Sequence, residues 1–219
     1  VGEYARRRSA EMPDRTVLAA KSWLCHHGID RREPFLPIVA EEGLEKMSPL
    51  DAIAALLVYI KEAWDSKMDA PFADQALFIT VPASFDPSAR QLVQEAAENA
   101  GYPDAVLLEE PQAAFYAWLH ARAGDWRKLL KVDDCILVVD IGGGTTDFSL
   151  IGVDQEGGNL SLKRLAVGSH LLLGGDNIDL SLAYLAKDKL EQKGHDIDDW
   201  QMQSLVHSCR KAKEQLMAD

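Results

Sequence analysis

The sequence predicts an α/β protein with two lobes. Between residues 49 and 124 the patterns of helix and strand alternate, as they do in a βαβ layer. From Cys135 onward three strand patterns follow one another as a β-meander, and two long helix patterns come after them. We place the boundary between lobe I (residues 1–133) and lobe II (residues 134–219) at this change of pattern.

The regular pattern of lobe I begins with a helix over about 49–67. Ser48 is a favourable N-cap, and Pro49 suits the first helical position. The apolar run "ALFITV" predicts a buried strand that ends at Pro82. The basic cluster "ARRRSAEMPDR" near the start of the chain is interpreted as a solvated loop.

A second helix and a second strand complete the βαβ pattern. Asp86 is the expected N-cap of this helix, and Gly101 is its C-terminal stop. The next strand, "AVLLEEP", leads into Pro111, which opens a third helix that ends near Gly124.

Lobe II is predicted to be a meander followed by a helical pair. The strands are expected at 135–141, 145–153 and 159–167, and the helices at about 177–192 and 198–217. Gly157 and Gly158 supply the turn between the second and third strands.

The composition excludes several classes of function. The chain has 219 residues, 47% of them hydrophobic, and a formal net charge of -12. Such a surface disfavours non-specific binding to nucleic acid or to anionic membranes, so we predict neither partner. The three cysteines have no CxxC spacing, which favours reduced thiols and a cytoplasmic location.

The stretch "VVDIGGGTTDFSL" is the most informative motif. Gly142, Gly143 and Gly144 form the tip of a predicted hairpin, and the hydroxyls of Thr145 and Thr146 follow. Exposed amide groups at such a tip can cradle a phosphate, and flanking carboxylates at Asp140 and Asp147 could hold hydrated Mg²⁺ or orient water. A glycine-rich turn with incidental acidic neighbours is the alternative interpretation.

Two further blocks support a nucleotide site. Glu110 ends a buried strand and points into a cleft between lobes, unless it only caps the helix that follows. Gly174 and Gly175 precede Asp176 at the start of a helix, where an anion would be favoured, although a simple turn fits as well.

In combination, these blocks resemble the nucleotide-binding domain of the DnaK-type seventy-kilodalton heat-shock chaperones. The resemblance spans nearly the whole chain, and its motifs are "ITVPASF", "LLEEPQAAF", "VVDIGGGTTDFSL", "LLLGGDNID" and "RKAKEQL". It implies an actin-like ATPase (ribonuclease H-like) fold of two lobes. It also implies a first phosphate-binding hairpin before Val1 and an adenosine motif after Asp219, so we expect the chain to be an internal fragment, truncated at both ends.

The resemblance implies ATP hydrolysis with ATP or ADP and Mg²⁺ as ligands. Lys21 matches the lysine that positions the attacking water, and Asp147 matches a carboxylate near that water. Asp140 and Glu110 match carboxylates that reach Mg²⁺ through water, and residues 142–145 match the second phosphate-binding hairpin.

The resemblance also implies communication with other domains and partners. Pro82 and Arg90 match a proline switch and its arginine relay, and Lys213 matches a residue beside adenosine. The implied partners are unfolded client polypeptides, bound by a domain outside this chain, together with J-domain and nucleotide-exchange co-chaperones. A role in protein folding and the stress response is expected.

The chain departs from the family pattern at five positions. Arg210 and Glu214 swap the usual charge order around adenosine, and Glu109 and Gln112 replace an asparagine and a threonine. Val106 stands where the family has an arginine that helps bind J-domain proteins, which puts that contact in doubt.

Three hypotheses follow. The leading one is the ATPase domain of a DnaK-like chaperone, of which the fragment alone is expected to be inactive because the first hairpin is missing. The second is a regulatory or scaffold protein that binds nucleotide or partners without hydrolysis. The third is another actin-like ATPase, such as a sugar kinase or a filament protein.

Overall fold

The computed structural model describes residues 1–9, 11–26, 28–40, 43–102, 104–122, 125–169 and 171–218. The helices are α1 (Gly2–Arg8), α2 (Ala20–Trp23), α3 (Pro49–Asp65), α4 (Pro87–Asn99), α5 (Glu110–Ala121), α6 (Trp126–Leu129), α7 (Gly175–Glu191) and α8 (Asp199–Met217). The strands are β1 (Phe78–Val81), β2 (Val106–Glu109), β3 (Cys135–Ile141), β4 (Thr146–Glu156) and β5 (Asn159–Val167).

A parallel pair of strands lies at the centre of lobe I. β1 pairs with β2 in a register that runs from Phe78 opposite Val106 to Val81 opposite Glu109. Helix α4 connects them, so the predicted βαβ unit is confirmed. Because parallel strands end at the same edge, Pro82 and Glu110 emerge side by side.

The core of lobe I forms where α3 and α4 pack together beside this pair of strands. Alanines on α4 face α3, and Ala89, Ala96 and Ala97 are fully buried, which lets the two helices approach closely. Tyr102 packs edge to face against Phe72 at 4.6 Å between ring centroids, and its hydroxyl donates to the Leu57 carbonyl at 2.7 Å. The buried phenol thereby keeps a hydrogen-bond partner.

Both predicted N-caps of lobe I are present. The Ser48 hydroxyl accepts a hydrogen bond from the Asp51 amide at 3.0 Å, and the Asp86 carboxylate accepts one from the Ala89 amide at 2.6 Å. Gly101 ends α4 with a φ of 85°, a backbone conformation that glycine adopts without strain. The predicted end of the third helix, near Gly124, lies outside the described residues.

Lobe II contains the expected antiparallel sheet in the order β3, β4, β5. Asp140 pairs directly with Asp147 across the hairpin, and Gly157 and Gly158 both take positive φ in the next turn. Alternate residues of β4 are buried, among them Asp147, which places this carboxylate on the inner face of the sheet.

Some features were not predicted from the sequence. The basic cluster is partly helical, since α1 includes Arg6, Arg7 and Arg8, so its interpretation as a loop was wrong. The prediction considered the charges of this segment and not their helical spacing. Glu3 and Arg7 lie one turn apart and form an ion pair at 3.1 Å, which stabilises the helix. The short helix α2, which carries Lys21, was also unexpected as a separate element. In the described ranges no helix is both long and apolar enough to span a membrane.

The boundary between lobe I and lobe II, at residues 133 and 134, stays a prediction. The names are used below for the two ranges of residues.

Candidate functional site

A cavity of about 350 Å³ opens between the two lobes. Most of the residues that the motifs singled out meet there. The described residues that line it are Lys21, Ser22, Cys25, Pro82, Phe85, Glu110, Asp140, Gly142, Gly143, Gly144 and Thr145. Its size lies in the usual range of ligand pockets, and we call it the cleft.

An ion pair between Lys21 and Glu110 crosses one side of the cleft. The lysine Nζ lies 2.5 Å from the Glu110 Oε1, although the two residues are 89 positions apart in the chain. Glu110 is in the first turn of α5 and largely buried, whereas the Lys21 side chain is about half exposed. The cleft therefore contains a cation suited to a phosphate and a carboxylate suited to a metal ion.

The glycine tip is held in place by the start of α7. The Gly175 amide donates to the Gly142 carbonyl at 3.0 Å, and the Asp176 amide donates to the Gly143 carbonyl at 2.7 Å. The Gly142 amide in turn donates to the Thr145 carbonyl at 2.8 Å. The first amide groups of α7 are therefore used to fix the tip.

Gly174 and Gly175 lie beneath the tip, and neither is among the described residues that line the cleft. A Cβ atom at Gly174 would lie 2.5 Å from the Gly143 carbonyl oxygen. Glycine is therefore required here by the close approach of two backbones. Gly174 and Gly175 therefore support the glycine tip through its backbone, which differs from the direct contact with an anion that the sequence predicted.

The two aspartates of the hairpin have different surroundings. Asp140 lines the cleft, whereas Asp147 is only 4% exposed and accepts a hydrogen bond from the Ser84 hydroxyl at 2.7 Å. Like charges directly opposite each other on neighbouring strands are unfavourable, so this hydroxyl, from lobe I, helps to stabilise the pair. Thr146 is turned away, because its hydroxyl donates to the Leu173 carbonyl at 2.8 Å.

The cleft offers oxygen ligands that fit Mg²⁺. Glu110 and Asp140 both line it, and Mg²⁺ is commonly bound by one or two carboxylates together with water and phosphate oxygens. Among the described residues there is no cluster of three or more metal-binding side chains. A magnesium ion here would therefore rest on these two carboxylates, water and the nucleotide.

Lys213 belongs to a buried ion-pair network at the start of α7. Its Nζ lies 2.6 Å from the Asp179 carboxylate and donates to the Gly175 carbonyl at 2.9 Å. Arg210 binds the other oxygen of Asp179 at 2.9 Å and also pairs with Asp176. Burial by itself raises the pKa of Asp179, but the hydrogen bonds and charges of Lys213 and Arg210 outweigh it and lower that pKa.

Arg90 and Pro82 are placed at the end of the parallel strand pair. Pro82 is fully buried against the cleft, and the Arg90 guanidinium donates to Glu109 at 3.4 Å. Arg164 of β5 pairs with the same carboxylate oxygen. Val106, at the start of β2, is exposed.

Sequence reasoning missed four residues that contribute to the site. Ser22, Cys25 and Phe85 line the cleft, and Ser84 binds Asp147. Ser84 and Phe85 belong to the motif "ITVPASF", but neither the motif nor its spacing indicated a role for them. Burial raises the pKa of the Cys25 thiol to about 12, so the thiol stays protonated and is a poor nucleophile.

Comparison of the sequence with known proteins identifies the family of the chain. The family model described as Hsp70 protein matches residues 1–219. The chain is 33% identical over 176 residues to the chaperone protein HscA homolog of Acinetobacter baylyi (strain ATCC 33305 / BD413 / ADP1). This match covers 80% of the chain and 26% of the relative, so the chain spans about a quarter of that protein's length. The fold is accordingly the actin-like ATPase fold, and the chain belongs to the Hsp70 family.

Proposed function

We propose that this chain binds ATP and ADP with Mg²⁺ as part of the nucleotide-binding domain of a DnaK-like chaperone that hydrolyses ATP. The observation that carries the proposal is the cleft, where Lys21, Glu110 and Asp140 meet the glycine tip. A cation, two carboxylates and a row of backbone amides are the groups that a nucleotide with Mg²⁺ requires.

Each residue has a proposed role in phosphoryl transfer to water. Lys21 would lie beside the terminal phosphate and position the attacking water, and residues 142–145 would bind phosphate oxygens. Glu110 and Asp140 would hold the magnesium ion through water, and Asp147 would orient the attacking water. When bound, the metal ion would neutralise charge that develops on the phosphate oxygens.

Lys213 would contribute to the adenosine side by holding the start of α7. Its contacts with Asp179 and Gly175 support a positional role, because they place its charge directly behind the glycine tip. Thr146 and Gly174 would support the tip in the same way, through Leu173 and the backbone of residues 142–143.

We further propose that the 219-residue chain alone hydrolyses ATP negligibly. In the part of the chain that the structure describes, the cleft is bordered by one glycine-rich tip, which matches the second phosphate-binding hairpin of the family. The family pattern implies that another hairpin, the first, also binds phosphate. Each charge-assisted contact to phosphate that is lost costs about 1.5–3 kcal/mol, so several of them amount to orders of magnitude in affinity.

The whole protein would act in the cytoplasm on unfolded client polypeptides. Nucleotide-exchange and J-domain co-chaperones would regulate it, as proposed from the family, with the J-domain contact weakened by the exposed apolar Val106. Pro82 and Arg90 would carry the nucleotide state from the cleft to the domain that binds clients.

A non-catalytic scaffold is the second candidate function, and one observation favours it. Arg210 is engaged by Asp176 and Asp179, and Glu214 is engaged by Arg6 at 2.6 Å. Two positions that face adenosine in the family pattern are thus occupied by ion pairs within the chain.

Isothermal titration of the full-length protein with ATP and ADP, each with and without Mg²⁺, tests the two candidates. Binding that requires Mg²⁺ and is lost in Lys21→Ala and Asp140→Asn supports the nucleotide site. Absence of ATP and ADP binding at millimolar concentration would favour the scaffold instead. Steady turnover of ATP by the 219-residue chain, abolished by Lys21→Ala, would refute the proposed inactivity of the chain alone.

A further inference from the structure

We propose that Glu109 is a positioning residue, which joins the two lobes and thereby fixes Glu110 in the cleft. The proposal rests on the proposed function, because Glu110 is one of the two carboxylates assigned to Mg²⁺. Glu109 itself is not among the described residues that line the cleft, so it acts through its neighbour in the chain.

One carboxylate oxygen of Glu109 binds two arginines from different lobes. The Arg90 Nη1 on α4 donates to the Glu109 Oε1 at 3.4 Å, and the Arg164 Nη1 on β5 donates to the same oxygen. Arg90 belongs to lobe I and Arg164 to lobe II. We call these three residues the lobe clasp.

Burial of Glu109 makes the lobe clasp more costly to break than an ordinary surface ion pair. The Glu109 side chain is only 12% exposed, so its carboxylate has lost most of its water and depends on its two partners. Both partners are arginines, which keep their charge at every relevant pH. Without the carboxylate, two guanidinium groups that share one oxygen would be left to repel each other.

The lobe clasp borders a small cavity between the lobes. This cavity, of about 40 Å³, is lined by α5 together with parts of β4 and β5, and its polar lining includes Glu109, Gln112, Ser149 and Arg164. The Ser149 hydroxyl is buried and has no hydrogen-bond partner among the described residues. A water molecule needs roughly 10–15 Å³ of such space, so the cavity has room for one to bind this hydroxyl.

The position of Glu109 in the chain transmits this contact to the cleft. Glu109 is the last residue of β2, and Glu110 is the first of α5. Glu109 reaches between the lobes, and Glu110 reaches Lys21 at 2.5 Å. Rotation of the backbone at this junction would break both contacts at once. The lobe clasp therefore helps to keep the ion pair of Lys21 and Glu110 in place, and the ion pair does the same for the lobe clasp.

The test compares charge-removing variants of the 219-residue chain by hydrogen–deuterium exchange. The variants are Glu109→Gln, Arg164→Gln and the double variant. Glu95→Gln is the matched control. Glu95 lies on α4, as Arg90 does, and it binds Arg32 through both oxygens, at 2.5 and 2.6 Å, within lobe I. The control removes an equivalent carboxylate without touching lobe II.

We expect Glu109→Gln and Arg164→Gln each to speed exchange about tenfold in two segments, 106–118 and 159–167, which is the loss of one charge-assisted hydrogen bond. The double variant should be no faster than Glu109→Gln alone, because Glu109→Gln already removes the contact with Arg164. Glu95→Gln should leave both segments unchanged. Unchanged exchange in 159–167 for Glu109→Gln, or multiplicative effects in the double variant, would overturn the proposal.

A second measurement separates positioning from general stability. The affinity of the full-length protein for ADP is measured with and without Mg²⁺. Glu109→Gln should reduce the gain from Mg²⁺ about tenfold, while the metal-free affinity stays that of the wild type. An equal loss in both conditions would show that Glu110 is not the residue affected, and would overturn the proposal. If the full-length wild-type protein binds no ADP at all, the proposed function fails, and the exchange measurement alone decides whether the lobe clasp exists.

Discussion

Replacing Gly174 by alanine should destabilise the chain more than replacing a glycine of the tip itself. The Cβ of Gly174→Ala would lie 2.5 Å from the Gly143 oxygen and 2.6 Å from the Gly142 oxygen, so one backbone segment must move. At Gly143 the nearest atom to an added Cβ is the Asp176 Oδ1 at 3.5 Å, which is ordinary contact. Gly143→Ala is therefore the matched control.

The cost of Gly174→Ala follows from overpacking, for which about 2 kcal/mol is typical. For a chain of this size each kcal/mol lowers the melting temperature by about 3 °C, so we expect a loss of about 6 °C by calorimetry or circular dichroism. Gly143→Ala should change it by less than about 2 °C. Equal melting temperatures for the two variants would refute the view that α7 fixes the tip by backbone contact.

Three further outcomes are expected. Asp179→Asn should cost about 3 kcal/mol in denaturant unfolding at pH 7, because two partly buried cations lose their buried carboxylate. Since the pKa of Asp179 is lowered on folding, this contribution is complete above the unfolded pKa of about 4 and is lost as the pH falls through the folded pKa. Ser84→Ala should cost about 1 kcal/mol in the same assay, through the lost hydrogen bond to Asp147. Cys25 should react with iodoacetamide at pH 8 far more slowly than the exposed Cys135, because burial raises the pKa of the Cys25 thiol to about 12.

Each of these expectations has an outcome that contradicts it. If Asp179→Asn destabilises the chain equally at pH 3 and at pH 7, the expected contribution of the ion pairs of Asp179 is contradicted. The Ser84 contact is unimportant if Ser84→Ala and Ser84→Thr unfold alike and both match the wild type. Labelling of Cys25 at the rate of Cys135, read by mass spectrometry of the peptides, would show that the thiol is not shielded.

The regular elements could largely be predicted from local signals. Ser48 and Asp86 were identified as caps because a hydroxyl or a carboxylate before a proline is the usual start of a helix, and both make the expected hydrogen bond. The glycine pair 157–158 marked the hairpin turn for a similar reason, since both residues take positive φ. Such signals lie within a few residues of the feature that they determine.

The contacts that assemble the site could not be predicted in this way. Lys21 meets Glu110 across 89 positions of the chain, Ser84 meets Asp147 across 63, and Arg164 meets Glu109 across 55. Each pairing depends on how distant parts of the chain pack, and the last two join lobe I to lobe II, which no spacing in the sequence encodes. The family resemblance pointed to several of these residues, but it did not indicate the partners of Ser84 or Arg164.

The ion pair between Lys21 and Glu110 also affects how metal and nucleotide bind. While the two side chains are paired, each compensates the charge of the other, so Lys21 is less available to phosphate and Glu110 is less available to metal. A divalent cation that draws Glu110 away releases Lys21 for an anion, and an anion that engages Lys21 releases Glu110 for the cation. Because such coupling is reciprocal, each ligand raises the affinity for the other by the same factor. Under the proposed function, the chain would therefore bind a metal ion and a phosphate most tightly when both are present.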